Sequence, residues 1–331
     1  MTFFNGVKLA LLALVAIGAT TERIARGRAR KDWKAPGALV DVGGERKLQM
    51  DCRGTGSPTV VLESGLDAYG SLSWALVHDS IAATARVCAY SRAGLMWSDA
   101  SRRKFDSRET ARDLHVALVA NGEEGPWVLV GHSIGAAYVT SFMQQYGAEV
   151  GGIVLVDPSH PDQFRRYLDV TGKSLEPSAA IIRLGSRLSW TGLLRLMPAG
   201  ASPALWSAKH DAMIADLLPT SVNALADEAD AVRASLARAG ELRAFGNRPL
   251  IVLTAGNEQS AAQLKMMKLN PEHGRLLLEA TKALHDEQAS WSTRGRNDVV
   301  VGADHYIQFT RPAAVIAAVR EVVGAVEASG R

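Results

Sequence analysis

Two cysteines in 331 residues leave no room for a disulfide-dense scaffold or a cysteine-built metal module. Aromatic residues are scarce, at 6%, and are not interleaved with the basic ones, which excludes the stacking platform of a nucleic-acid binder. The glycine-rich stretches lack the Lys and Ser or Thr that would complete a phosphate cradle. His132 beside Ser133, and Asp157 with His160, are too sparse for a metal set. No unbroken apolar run reaches the ~20 residues of a spanning helix, and no internal repeat occurs. What remains is 47% hydrophobic and 21% charged, the balance of a folded globular protein with room for one large α/β domain or two small ones.

The formal charge of +3 is unevenly spread. Residues 1–34 hold seven Lys and Arg against two acids, so the rest of the chain is close to neutral. In that leader Lys8 precedes the apolar run Leu9 to Ala19, and Arg23, Arg26, Arg28, Arg30 and Lys31 follow it. The pattern predicts a signal peptide or a membrane anchor, with small residues at cleavage spacing in Ala16 to Gly18. A span over Phe3 to Ala19 would have to tolerate Asn5 and Lys8. The basic cluster tends to hold its flank in the cytoplasm, so sidedness stays open. Its expected partner is anionic lipid rather than nucleic acid.

Beyond residue 34, short β-rich runs alternate with helical stretches, the signature of a mostly parallel sheet covered by helices. Strands are expected at Leu39 to Val42, Lys47 to Arg53, Thr59 to Glu63, Arg86 to Tyr90, Trp127 to Val130, Gly152 to Val156, Pro249 to Thr254 and Asp298 to Val301. The first two form an antiparallel hairpin through Gly43 and Gly44. Asp106 and Glu109 stand at capping-box spacing before a helix, and Val315, Val319, Val322 and Val326 make one apolar stripe. Residues 158–245 contain no convincing strand but carry helical apolar clusters, so they are expected to be an inserted helical cap. The α/β core then comprises 35–157 and 246–331.

The segment Trp127 to Ala137, WVLVGHSIGAA, runs an apolar strand into GxSxG and then a helix. A Ser on such a turn has strained backbone that projects its hydroxyl, which makes Ser133 a candidate nucleophile. A hydroxyl needs a base oriented by a carboxylate. His305, between the last strand and the last helix, stands where that base belongs. The N–H of Ile134, next to the nucleophile, is one candidate for an oxyanion hole.

Together VGHSIG, VLVDPSHPD and ADHYIQFTRPAAV resemble the capped, esterase-like serine hydrolases of the α/β hydrolase superfamily, over about Leu39 to Val326. The resemblance implies an α/β hydrolase fold with an eight-stranded sheet, an acyl-enzyme mechanism and no cofactor. Ser at position 133 sets the chain apart from the aspartate-nucleophile branch of dehalogenases and epoxide hydrolases. Family members often have Asp-Arg-x-Gly-x-Gly after the fourth strand, where this chain has Ser91, Arg92, Ala93, Gly94, Leu95 and Met96. The second oxyanion donor is implied at the N–H of Leu66, after Ser64 and Gly65.

The acid is expected at Asp157, with Glu258 as the alternative. Gly256 to Gln259 ends in Gln at the usual acidic position, with Glu258 one residue away, while Asp157 closes the earlier strand in VLVDP. The fold sets the strands of Cys52 and Cys88 side by side, as two buried thiols or, in an exported body, as a pair.

The expected function is hydrolysis of a carboxylic ester, amide or thioester of a small apolar molecule. Acyl transfer, carbon–carbon bond hydrolysis and non-catalytic ligand binding on the same fold are the alternatives. Ile181, Leu184, Leu188, Leu193, Leu196, Trp206 and Leu217 either wall an acyl pocket beneath the cap or pack among themselves and onto the sheet.

Overall fold

A computed structural model of the chain describes residues 2–176, 178–196 and 206–330. Met1 of the expected leader, Pro177 and residues 197–205 of the expected cap, and Arg331 of the expected core lie outside the described residues.

Eight strands form one sheet: β1 (Ala38–Asp41), β2 (Lys47–Arg53), β3 (Thr59–Glu63), β4 (Val87–Tyr90), β5 (Trp127–His132), β6 (Val150–Val156), β7 (Gly246–Ala255) and β8 (Ser292–Val300). Their spatial order is β1-β2-β4-β3-β5-β6-β7-β8, with β1 and β2 antiparallel to their neighbours and the rest parallel. The helices are α1 (Thr2–Asp32), α2 (His78–Ala82), α3 (Ser107–Ala120), α4 (Gly135–Tyr146), α5 (Gln163–Thr171), α6 (Ala179–Leu188), α7 (Ala208–Ala239), α8 (Ala261–Met267), α9 (Pro271–Ala289), α10 (Ile307–Thr310) and α11 (Pro312–Ser329).

The central strands are apolar throughout because both faces are covered. Val61, Leu129, Ile153, Leu155 and Val252 pack on one side with Leu114, Phe142 and Trp291. Their neighbours in sequence, Val60, Leu62, Val128, Val130, Val154 and Ile251, pack on the other with Ile81 and the α11 stripe Val315, Val319, Val322 and Val326. Period two puts successive side chains on opposite faces, so one run feeds two cores. Burying each such Val or Leu contributes ~1.5–3 kcal/mol. The edge strand β8 begins at Ser292, six residues before the expected start. Arg294 and Arg296 are tolerated on this edge strand, Gly295 leaves room for the Ala289 carbonyl oxygen, which a β-carbon would approach to 1.9 Å, and so the apolar pattern missed all three.

Cys52 and Cys88 sit directly opposite on the antiparallel pair β2–β4, and their sulfurs are bonded at 2.05 Å. The pairing replaces the alternative of two separate buried thiols.

The leader is one helix with two characters. Every described side chain from Asn5 to Ile17 is exposed, Leu9, Leu12 and Leu14 among them. From Gly18 onward the helix docks on the body. The Gly18 backbone lies against Thr191, where a β-carbon would come within 2.3 Å of the Thr191 carbonyl oxygen. Buried Glu22 pairs with Arg26 and Arg195 at 2.6 Å each. Ala29 packs with Leu72, Met96, Met213 and Leu217. The Trp33 indole donates to Asp216 at 2.8 Å. Of the basic residues in this stretch, Arg26 is held by Glu22, while Arg23, Arg28, Arg30 and Lys31 are exposed. Among the described residues no helix is long and apolar enough to cross a membrane.

Candidate active site

The parallel strands deliver polar side chains at their carboxyl ends, where an α/β sheet binds its ligands. At the end of β5, Ser133 has φ +53° and its N–H donates to the Val156 carbonyl at 3.1 Å. A non-glycine residue in left-handed backbone costs about 1–3 kcal/mol, and here it lifts the hydroxyl clear of the strand. Helix α4 begins two residues later at Gly135, where a β-carbon would stand 2.7 Å from the Ser64 carbonyl oxygen. Only glycine lets the turn approach the β3 loop so closely.

Asp157, closing β6, also has positive φ, +42°. One carboxylate oxygen accepts from the Ala255 N–H at 2.8 Å. The other is 2.6 Å from His305 Nδ1, and His305 Nε2 is 3.0 Å from Ser133 Oγ. A carboxylate only accepts, so Nδ1 carries the proton and Nε2 presents its lone pair to the serine hydroxyl. Burial pushes the Asp157 carboxyl up, but the hydrogen bond and charge of His305 outweigh it and hold the group below its usual range. The arrangement can draw a proton from the hydroxyl and stabilise the resulting imidazolium.

The structure brings Ser133, Asp157 and His305 together and leaves Glu258 aside. Glu258 and Gln259 line the same cavity, but Glu258 is exposed at its edge and carries no hydrogen bond to His305. Asp304 accepts from Asn257 at 2.7 Å instead. Leu66 and Ile134 line the cavity beside Ser133, and among the described residues neither backbone N–H is taken by another backbone group. Gly65 must lack a side chain, since a β-carbon there would lie 2.7 Å from His132 Nδ1 and 3.1 Å from Ser133 Cβ.

His132, unassigned in the sequence reading, is buried, and its Nε2 donates to the His305 carbonyl at 3.0 Å. Burial first, and then neighbouring His305, push its basicity down to about 3, so it stays neutral. Its place beside Ser133 in the GxSxG turn was the available signal. Arg92 and Glu228, both fully buried, were also missed. A charged residue two places after an apolar strand was the trace Arg92 left in the sequence.

The cavity has a volume of about 450 Å³. Its apolar wall is Phe164 and Tyr167 of α5, Val232 of α7, Met267 of α8, Leu277 of α9, and Leu175. The apolar residues of α6 and the turn after it do not contribute: Ile181, Leu184, Leu188, Leu193 and Leu196 are exposed. Trp206 packs edge-on against Tyr69 and Phe309, and Leu217 lies under α1. Helix α6 instead turns its small and polar side toward α7, with Ser186 bonded to Asn223 at 2.8 Å and Arg183 to Asp227 at 2.9 Å. Period 3.6 marks a face as apolar without saying which way it points.

His160, Asp162 and Glu287 have ligand atoms within 4.8 Å of one another. Arg243 already supplies the cation there, at 2.9 Å from Asp162 and 2.7 Å from Glu287.

Three comparisons bear on this geometry. An esterase from Thermogutta terrifontis superposes with a TM-score of 0.57 at 19% identity, covering 87% of this chain and 97% of that one. The epoxide hydrolase CorEH superposes with a TM-score of 0.60 at 17% identity, covering 87% and 98%. At these identities the likeness shows the fold. Uncharacterized protein YbdG of Bacillus subtilis (strain 168) is 27% identical over 135 residues, which cover 40% of this chain and 41% of YbdG, so the chain spans about two fifths of that relative. The model of the Alpha/beta hydrolase family matches residues 52–318, from β2 into α11, with every element that carries the site inside the match. The chain belongs to the Alpha/beta hydrolase family.

Proposed function

We propose that the chain is a serine hydrolase cleaving a carboxylic ester of a small apolar molecule. The observation that carries this reading is the hydrogen-bonded series Ser133–His305–Asp157 at the floor of an apolar-walled cavity. Ser133 Oγ attacks the ester carbonyl while its proton passes to His305 Nε2. The carbonyl oxygen becomes an anion facing the N–H groups of Leu66 and Ile134. Asp157 stabilises the imidazolium, which then gives its proton to the leaving alcohol. Water, deprotonated by the same imidazole, cleaves the acyl-enzyme and regenerates Ser133. No step needs a cofactor. With p-nitrophenyl butyrate, Ser133→Ala should lower kcat/KM by at least ~10³-fold in a folded protein, because members of such a unit act together. Near-normal turnover would overturn the reading.

We further propose that the chain is attached to a membrane through the projecting end of α1, with the body on the oxidising side. Exposed apolar residues from Val7 to Ile17 and exposed Arg23, Arg28, Arg30 and Lys31 support attachment. The Cys52–Cys88 bond supports an oxidising compartment. The sixteen helical residues from Thr2 to Ile17 reach ~24 Å, against a hydrocarbon core of ~30 Å, which favours insertion over spanning. Full-length protein should co-sediment with vesicles of phosphatidylcholine and phosphatidylglycerol, and the Leu9→Asp/Leu12→Asp variant should not. Equal sedimentation of the two would refute attachment through α1.

A further inference from the structure

Arg92 follows β4, and its side chain is 1% exposed. Its guanidinium holds three parts of the molecule. Nη1 donates toward Glu63 at 2.6 Å and toward the Ser64 carbonyl and hydroxyl at 2.8 Å each. Nη2 donates to the Gly65 carbonyl at 2.7 Å and to Glu228 of α7 at 2.7 Å, and Nε donates to the other Glu228 oxygen at 2.9 Å. Tyr90 donates to the free oxygen of Glu63, and the Tyr138 ring lies 5.0 Å from the guanidinium carbon.

The contact with Gly65 has a geometric consequence. The Gly65 carbonyl and the Leu66 N–H are two ends of one planar trans peptide and point in opposite directions. Anchoring that oxygen on Arg92 therefore fixes where the Leu66 N–H points. Gly65 has no side chain to resist rotation of its peptide, so the anchor has to come from outside the loop. The Asp67 N–H also reaches the Gly65 oxygen, at 2.9 Å, but it belongs to the same loop and would turn with it.

We infer that Arg92 is a positioning residue that keeps the Leu66 N–H aimed at the developing oxyanion and, through its paired bonds to Glu228, ties that aim to the seating of α7. The inference rests on the serine hydrolase reading. It also accounts for a costly arrangement. A buried guanidinium between two carboxylates gains little stability over an apolar replacement of similar volume, which is consistent with a role in holding one conformation. Helix α7 also supplies Val232 to the cavity wall, so a displacement of α7 by substrate reaches the Gly65–Leu66 peptide through the Glu228–Arg92 bonds.

The test is steady-state hydrolysis of p-nitrophenyl butyrate by full-length protein, together with inhibition by an alkyl boronic acid that forms a tetrahedral anion on the serine. Losing one oxyanion donor costs ~10²–10³ in kcat, so Arg92→Lys, which keeps the charge but not the fork, should lose between ~10- and ~100-fold in kcat, with KM little changed. Boronic acid affinity should fall by the same factor, which a loss of fold or of ground-state binding would not produce. Glu228→Gln, a milder change that keeps one acceptor, should give a smaller loss in the same two readouts and decides the matter if Arg92→Lys does not fold. The inference is overturned if a folded variant keeps kcat and boronic acid affinity, or if the loss falls on KM alone. A wild-type chain inert toward esters would overturn the serine hydrolase reading and this inference with it. An active wild type with indifferent variants would overturn the inference alone.

Discussion

The strand ends and the inserted helices close on the same cavity, but they constrain their residues very differently. At the strand ends Ser133 and Asp157 hold left-handed backbone, each with its N–H bonded to the neighbouring strand. There a residue has one place to be. In the insertion, α5 and α7 give Phe164, Tyr167 and Val232 to the cavity, while α6, with an equally apolar face, gives Ile181 and Leu184 to solvent. Sheet register fixes positions to within an ångström, whereas amphipathicity fixes only that a face exists. Chemistry should therefore fail sharply at the strand ends, and selectivity should change gradually among the helices.

The largest effects sharpen the first half of that contrast. His305→Ala should lose at least ~10³-fold in kcat/KM for p-nitrophenyl butyrate, and Asp157→Asn, which cannot stabilise imidazolium, ~10²- to 10⁴-fold. Glu258→Gln, at the exposed rim, should stay within about twofold, as surface changes usually do. The reverse ranking of the two acids would move the carboxylate to the later strand. A second effect tests the sheet away from the site. The Cys52–Cys88 bond closes a 36-residue separation, and loop-closure entropy then gives about 3–4 kcal/mol of stability. Urea unfolding of Cys52→Ser/Cys88→Ser should show that loss with kcat unchanged. A drop in kcat would mean that strain in β2–β4 reaches the site.

A smaller effect tests the helices. Each methylene buried in the apolar wall contributes ~0.8 kcal/mol, so kcat/KM should rise roughly tenfold for two added acyl carbons until the cavity is filled. Phe164→Ala and Leu277→Ala should flatten that rise across p-nitrophenyl esters from acetate to decanoate. Ile181→Ser and Leu184→Ser should leave it within about twofold. A chain-length preference abolished by the α6 variants would show that α6 faces the substrate after all.

What the sequence made legible follows the same division. The places of the strands along the chain, the GxSxG turn and the histidine after the last strand were readable because sheet positions and turn chemistry leave local marks. The choice of Asp157 over Glu258 was readable only in part: Gln259 at the usual acidic position pointed to the earlier strand, but both acids follow a strand, and it is the 2.6 Å contact with His305 that separates them in space. The direction of α6 was hidden because its apolar face looks alike whether it meets a cavity or water. Arg92 was hidden because its partners Glu63 and Glu228 lie 29 and 136 residues away in sequence. No short-range pattern could pair them.

The central claim is that Ser133 is a nucleophile activated by His305. Its most direct test is labelling with a fluorophosphonate probe, followed by mass mapping of the modified peptide. The account predicts one label per chain, on Ser133, absent in Ser133→Ala and slowed by at least ~10²-fold in His305→Ala. A label on another residue, or equal labelling of wild type and Ser133→Ala, would contradict it.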